Sequence, residues 1–190
     1  MRVVSGRYKG RHFDVPTSFK ARPTTDFAKE NLFNVLQSNY VDFTTGPRAL
    51  DLFAGTGSIS LELLSRGCSE VVSVEKDRDH FRFLARTAKQ LGDPAWQPLC
   101  ADVFSFIKRK SPLRLPRWEE GTFDLVFADP PYALPQLADL PRTLLDAALL
   151  APNGLLIVEH GKHNDFSQLP EFVQQRRYGS VNFSFFIAPA

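Results

Sequence analysis

The chain has 190 residues, 43% hydrophobic and 23% charged, and its 17 Phe exclude a disordered polymer. No run approaches the ~20 apolar residues of a membrane span, Met1–Gly6 lacks the apolar stretch of a signal peptide, and Cys68 and Cys100 sit among apolar neighbours without ligand spacing. The net charge of +2 is uneven: residues 1–22 carry six basic side chains against Asp14 alone, a local +5 that leaves −3 for the rest.

One domain of this length buries about 70% of its unfolded surface, so it needs no staples. The composition fits a reduced cytoplasmic protein without a metal centre. A second basic run, Lys108, Arg109, Lys110, Arg114 and Arg117, has no acidic residue between Val103 and Trp118. Local positive patches on a near-neutral body suit a polyanionic partner engaged from defined places. Solvated basic loops are the competing reading.

Residues 1–47 read as an N-terminal extension and residues 48–190 as the main domain. Arg2–Arg7 and Arg11–Val15 flank Tyr8-Lys9-Gly10, predicting a small hairpin whose Gly10 can take a positive φ. Arg22-Pro23-Thr24-Thr25-Asp26 reads as extended chain ending in N-cap chemistry. Ala28, Leu32, Val35 and Leu36 then predict a helix to about Asn39, before Thr44-Thr45-Gly46-Pro47 breaks the chain.

From Arg48 onward, strand-like and helix-like segments alternate. The predicted strands are Ala49–Phe53, Val71–Glu75, Trp96–Cys100, Phe123–Ala128 and Leu155–Glu159, apolar runs of the kind a parallel sheet buries on both faces. Helical patterns cover Ser58–Arg66, Arg78–Leu91, Val103–Lys110 and Gln136–Leu149. This is an α/β chain with a mostly parallel, doubly wound sheet. At its end, Phe172–Tyr178 and Val181–Ala188 flank Gly179-Ser180 and predict a C-terminal antiparallel hairpin.

The loop after the first strand reads Asp51-Leu52-Phe53-Ala54-Gly55-Thr56-Gly57-Ser58. Two glycines one residue apart let the backbone turn sharply against a ligand, and the next helix offers its N-terminal amides. A tight strand-to-helix turn is the plainer reading of that pair. Ser60 stands where a dinucleotide fingerprint has its third glycine. Glu75 ends the second strand 20 residues beyond Gly55, where an acid can accept both ribose hydroxyls. Asp102 follows the third strand and suits an adenine amino group; each acid, taken alone, also suits a helix cap.

Asp129-Pro130-Pro131-Tyr132 follows the fourth strand directly. Two prolines make the loop rigid and remove local N–H donors. A nucleobase amine is a poor nucleophile that donates two hydrogen bonds. The Asp129 carboxylate and the Pro130 carbonyl are two acceptors that can orient it toward an electrophilic methyl. Tyr132 offers a face on which an unpaired base stacks.

Residues 49–159 thereby resemble a Rossmann-like class I S-adenosylmethionine-dependent methyltransferase. Arg2–Arg11, Arg22–Asp26, Glu30-Asn31-Leu32-Phe33-Asn34 and the closing Tyr178-Gly179 narrow the resemblance to the RsmD family of 16S rRNA guanine-N2 methyltransferases, over nearly the whole chain. The resemblance implies a monomer that methylates one guanine of 16S rRNA, within the small ribosomal subunit or an assembly intermediate, and releases S-adenosylhomocysteine. It places the cofactor at Asp51, Phe53, Ala54, Gly55, Thr56, Gly57, Glu75, Lys76, Asp102 and Val103. Catalysis falls to Asp129, Pro130, Pro131 and Tyr132, and RNA contact to Arg7, Lys9, Arg11, Arg22 and Thr25.

Where the family usually continues Arg-Val-Arg-Glu after Asp26, this chain has Phe27-Ala28-Lys29-Glu30, losing a bidentate guanidinium contact. The catalytic tetrapeptide is shared with adenine-N6 enzymes, so that base stays an alternative. A nicotinamide-dependent oxidoreductase also uses Gly-x-Gly and an acid, but has no use for Asp129–Tyr132; a noncatalytic RNA-binding module would not need that motif intact. His160-Gly161-Lys162-His163 reads as a surface loop. Phe183, Phe185 and Phe186 read as sheet packing.

Overall fold

A computed structural model describes residues 1–19, 25–108 and 123–190. Lys20, Arg22 and the run Arg109, Lys110, Arg114 and Arg117 lie outside the described residues. Seven strands form one sheet: β1 (Arg48–Leu52), β2 (Glu70–Glu75), β3 (Trp96–Cys100), β4 (Phe123–Ala128), β5 (Leu150–His160), β6 (Phe172–Tyr178) and β7 (Val181–Ile187). Their order is β3-β2-β1-β4-β5-β7-β6, with β1 to β5 parallel and β7 antiparallel to both neighbours. The winding reverses between β1 and β4, opening a crevice at their carboxyl ends.

Alternation along the strands builds two apolar layers. One face carries Ala49, Leu125, Phe127, Ile157, Phe183 and Phe185 beneath helices α1 (Asp26–Asn39), α2 (Ser58–Arg66) and α3 (Arg78–Leu91). The other carries Leu50, Leu52, Val126, Leu156 and Phe186 beneath α4 (Val103–Lys108) and α5 (Leu140–Leu145). Ala28, Leu32, Phe33 and Leu36 give α1 its buried stripe, and Tyr40 beyond its end stacks on Phe185 at 5.5 Å.

Two predicted elements come out differently. In place of one helix over Gln136–Leu149 there is a 3₁₀ turn at Leu137–Asp139 and a short α5. Pro141 cannot donate to the preceding turn, and Ala148 with φ 52° ends the helical path. β5 is longer than expected because it reaches back to pair Leu150 with Phe123, through an irregularity before Leu155.

The N-terminal hairpin is short: one antiparallel bridge, Arg2 to His12, flanked by Val3 N–H to the Arg11 carbonyl at 3.0 Å and Phe13 N–H to the Met1 carbonyl at 2.9 Å. The amides of Val4 and Ser5 turn away and donate to the Glu62 carboxylate on α2, at 2.9 and 3.0 Å. Gly6 then lies so close to α2 that a Cβ would come within 2.0 Å of the Ser65 carbonyl oxygen. The hairpin is thus fitted to α2.

Glu62 is fully buried and also takes the Arg66 Nε at 2.9 Å. Replacing Glu62 by Ala strands a buried guanidinium and two amides, and the expected loss is about 3 kcal/mol or more. Urea unfolding measures it, with faster amide exchange expected at Val4 and Ser5.

Candidate active site

The loop leaving β1 is bent by three left-handed residues, Phe53 (φ 60°), Gly55 (φ 54°) and Gly57 (φ 79°). Phe53 holds this conformation as a non-glycine residue, which concentrates local backbone strain at the loop's entry. At Gly57 only hydrogen fits: a Cβ would stand 2.5 Å from Leu84 Cδ1 and 2.9 Å from Trp96 Cζ2. A Cβ on Gly55 meets nothing nearer than the Phe53 carbonyl oxygen at 4.0 Å, so that face of the loop is open.

The missing third glycine has a structural reason. Ser60 donates its amide to Asp51 Oδ2 at 3.0 Å and its hydroxyl to the same oxygen. Its Oγ meets Ser73 Oγ at 2.6 Å, and Ser73 accepts from the Trp96 indole at 2.8 Å. A buried polar chain therefore runs from β3 through β2 and α2 to Asp51 on β1. Gly57 gives α2 no side-chain cap and Asp51 takes the Ser60 amide, so the amides of Ser58 and Ile59 suit an anionic group such as a carboxylate.

Glu75 ends β2 almost buried and receives the Gly55 amide at 2.8 Å and the Asp77 amide at 2.7 Å. Each oxygen keeps a second lone pair, so the same carboxylate that ties two loops together can also accept ribose hydroxyls. Asp102 receives the Ser105 amide at 3.0 Å, the capping role that the sequence left open. Val103 is buried in the core, and Lys76 is exposed. Thr56 and Ala54 line the loop half-buried. These groups fit a nucleoside with an anionic end, laid across the carboxyl ends of β1, β2 and β3.

Beside them, Asp129 follows β4 with its amide donating to the Leu52 carbonyl at 3.2 Å, which couples the Asp129–Tyr132 loop to the end of β1. Pro130 is buried and Pro131 exposed, and Leu134 N–H closes a turn on the Pro131 carbonyl at 2.8 Å. Tyr132 is 48% exposed; its ring lies over Gly161, where a Cβ would approach Tyr132 Cδ2 to 3.3 Å. Its hydroxyl donates to Glu159 Oε1 at 3.1 Å. Glu159, the penultimate residue of β5, is 5% exposed. Sequence reasoning missed this residue, although a lone acid ending an apolar strand was the available signal.

Burial raises the Asp129 carboxyl well above the ordinary carboxylate range, with Glu159 and then Asp51 adding to it. Burial likewise pushes Asp51 up to about 7, against the bonds from Ser60. His160 corrects the surface-loop expectation. It is wholly buried as the last residue of β5, its Nε2 2.8 Å from Ser184 Oγ, and burial lowers its pKa. Lys162 and His163 are exposed. The two cysteines also differ from each other: Cys100 is exposed, while burial pushes the Cys68 thiol up to about 12.

The residues expected to meet RNA are spread out. Arg7 pairs with Asp93 at 2.6 Å, and Tyr8 lies under Arg7 and Arg11 at 5.0 and 5.4 Å while donating to the same Asp93. Lys9 is exposed. Thr25 caps α1 through the Ala28 amide at 3.2 Å. Lys29 points inward, its Nζ donating to the Arg2 carbonyl at 2.7 Å and to Ser58 Oγ at 3.1 Å, so it braces the chain rather than replacing a surface guanidinium.

With a folded pKa above its unfolded value, Asp51 holds a proton in the folded chain that the unfolded chain has already lost. Stability therefore falls as pH rises from the ordinary carboxylate range through about 7. Asp51→Asn cannot ionise and is expected to flatten that decline. Thermal unfolding of the cofactor-free protein from about pH 5 to about pH 8 reads it, and an unchanged slope counts against a protonated Asp51.

Residues 1–187 match the family model described as conserved hypothetical protein 95. The chain is 32% identical to the Escherichia coli K12 protein named ribosomal RNA small subunit methyltransferase D, over 90% of this chain and 79% of that one. A hypothetical protein of Thermus thermophilus superposes with a TM-score of 0.79 at 30% identity, covering 100% of this chain and 99% of the other. An RNA methyltransferase of Salinibacter ruber, solved with S-adenosyl-L-homocysteine, shares the fold at a TM-score of 0.63 and 16% identity, over 88% and 94% of the two chains. The sheet order, the glycine loop and the match across almost every residue agree: this chain belongs to the conserved hypothetical protein 95 family, that is, the RsmD family.

Proposed function

We propose that the chain transfers a methyl group from S-adenosylmethionine to the exocyclic N2 amine of a guanine in small-subunit rRNA. The observation that carries this reading is the adjacency of Asp129, at the end of β4, to the end of β1 from which the glycine loop leaves. The name of the Escherichia coli relative supports the RNA class. Bound along Phe53–Gly57, Glu75 and Asp102, S-adenosylmethionine supplies a methyl made electrophilic by its sulfonium. No helix among the described residues is long and apolar enough to cross a membrane. We place the protein in the cytoplasm as a monomer, acting on 16S rRNA within the small subunit or an assembly intermediate.

The chain's own part is positioning. The Asp129 carboxyl and the Pro130 carbonyl accept the two N–H bonds of the amine and aim its lone pair along the transfer axis. Tyr132 stacks the base, braced beneath by Gly161 and at its hydroxyl by Glu159. The turn between β6 and β7 projects beyond the carboxyl end of β5, where His160 pairs with Asn182 and Tyr178 with Val181. There Phe27, 67% exposed, meets Tyr178 edge-on at 6.4 Å. Exposed Arg176 and Arg177 donate their Nε atoms to Gln174 and to the Gly179 carbonyl, and neither forms an ion pair among the described residues. Aromatic faces beside uncommitted guanidiniums suit unpaired nucleotides flanking the target.

Methylation of unmodified small subunits, read by digesting the RNA to nucleosides and mass spectrometry, tests the assignment. N2-methylguanosine is expected. N6-methyladenosine keeps the reaction class and overturns the base, and no product on subunits or naked rRNA overturns the substrate. Asp129→Ala is expected to retain cofactor affinity and lose about 10²-fold or more in turnover. Reversing Arg176 and Arg177 to Glu is expected to raise KM for RNA and to flatten its salt dependence, with cofactor affinity unchanged.

A further inference from the structure

Strand alternation puts three carboxyls on one face of the sheet, at one end. Asp51 is in register with Phe127, Asp129 lies two residues beyond Phe127, and Glu159 lies two residues beyond Ile157. Phe127, Ile157 and Phe183 wall that face, and Phe183 sits directly across from Glu159 on β7. The last pair of β4 and β5 is Ala128 with Val158, so Asp129 and Glu159 come next, side by side on that face, and Glu159 also accepts from the Tyr132 hydroxyl at 3.1 Å. Two carboxyls bond each other only when a proton lies between them, since two carboxylates at that distance repel.

The neighbouring charges do not replace that proton. Glu75 on β2 is held by the Gly55 and Asp77 amides. Lys29 on α1 is spent on the Arg2 carbonyl and Ser58. On β5 and β7, His160 turns to Ser184. From β1, Asp51 is a third acid near Asp129 and brings no positive charge.

We propose that Glu159 is a positioning residue for the methyl-accepting amine: it shares one proton with Asp129 and accepts from Tyr132, locking the acceptor and the stacking ring in one geometry. The proposal rests on the methyltransferase reading above. The shared proton keeps the inner oxygens of the two carboxyls together and leaves the outer oxygen of Asp129 free to accept from the amine. As the nitrogen–carbon bond forms and the carbon–sulfur bond breaks, with its electron pair staying on sulfur, the nitrogen becomes cationic. It then loses one proton to Asp129. The pair passes from singly to doubly protonated and returns that proton to solvent on the half-exposed Tyr132 side. The raised Asp129 carboxyl makes it a better proton acceptor than an ordinary carboxylate.

Infrared titration of the cofactor-free full chain tests the shared proton without reference to methylation. The wild type is expected to show a protonated-carboxyl band persisting above the ordinary carboxylate range. Glu159→Gln and Asp129→Asn should each lose it, while the band of Asp51 remains in both. A wild-type titration retained in Glu159→Gln overturns the pair.

In turnover, Glu159→Ala is expected to lose on the order of 10²-fold in kcat with cofactor KM unchanged. Glu159→Gln should recover most of that rate, because its amide donates to Asp129 permanently. It should also lose the alkaline decline that the wild type shows when the shared proton leaves. Equal loss in both variants, or an alkaline limb kept in Glu159→Gln, would falsify the positioning role. If the titration behaves as expected but no RNA is methylated, the pair stands and the methyltransferase reading fails.

Discussion

The structure turns on one buried carboxyl. Asp51, 1% exposed on β1, is held by the amide and hydroxyl of Ser60 on α2. That contact fixes where α2 begins, and therefore how sharply Phe53–Gly57 must bend between strand and helix. Ser60 is in turn fixed by Ser73 on β2 and, through it, by the Trp96 indole on β3. The loop's geometry is thus set by three adjacent strands as well as by its own glycines. So polar a side chain is tolerated in the core because donors on Ser60, Ser73 and Trp96 are directed along the chain toward it.

The same helix carries the N-terminal segment. Glu62, on α2, gathers the Val4 and Ser5 amides and Arg66, while Lys29 links α1 to Ser58 at the start of α2. Burying a lysine and a glutamate in one layer is costly unless each is bonded. Here Lys29 meets a backbone carbonyl, a hydroxyl and Asp26, and Glu62 meets two amides and Arg66. The extension is consequently part of the layer above the sheet. Its basic turn at Arg7 and Lys9 lies near Ser65, at the opposite end of α2 from the glycine loop.

Chemistry gathers on the other side of the switch point. Asp129 and Glu159 come from neighbouring parallel strands whose alternation points both carboxyls to the face that Asp51 already occupies. Apolar walls make ionising all three unfavourable, so proton sharing is the electrostatic consequence of the strand register. Tyr132 reaches into this group because the Pro130-Pro131 loop turns it back over Gly161. In the proposed mechanism one acid therefore serves both the orientation of a base and the protonation of its partner.

Much of this was legible in the amino-acid order, and for local reasons. Short apolar runs identified the five parallel strands, and turn chemistry at Gly179-Ser180 identified the final hairpin. Residue type and spacing pointed to the glycine loop, Glu75, Asp102 and Asp129–Tyr132, because each follows a strand end. Contacts between distant segments were decided only by the tertiary structure. Nothing in the periodicity of residues 1–15 shows that the Val4 and Ser5 amides bond Glu62 and tie the hairpin to α2. His160 reads as loop until β7 covers it, and Lys29 reads as surface until Arg2 and Ser58 close over it. Glu159 gains its meaning only from strand register, since 30 residues separate it from Asp129 in the chain. Sequence determines the elements through neighbours a few residues apart; which polar groups meet in the core depends on how those elements pack.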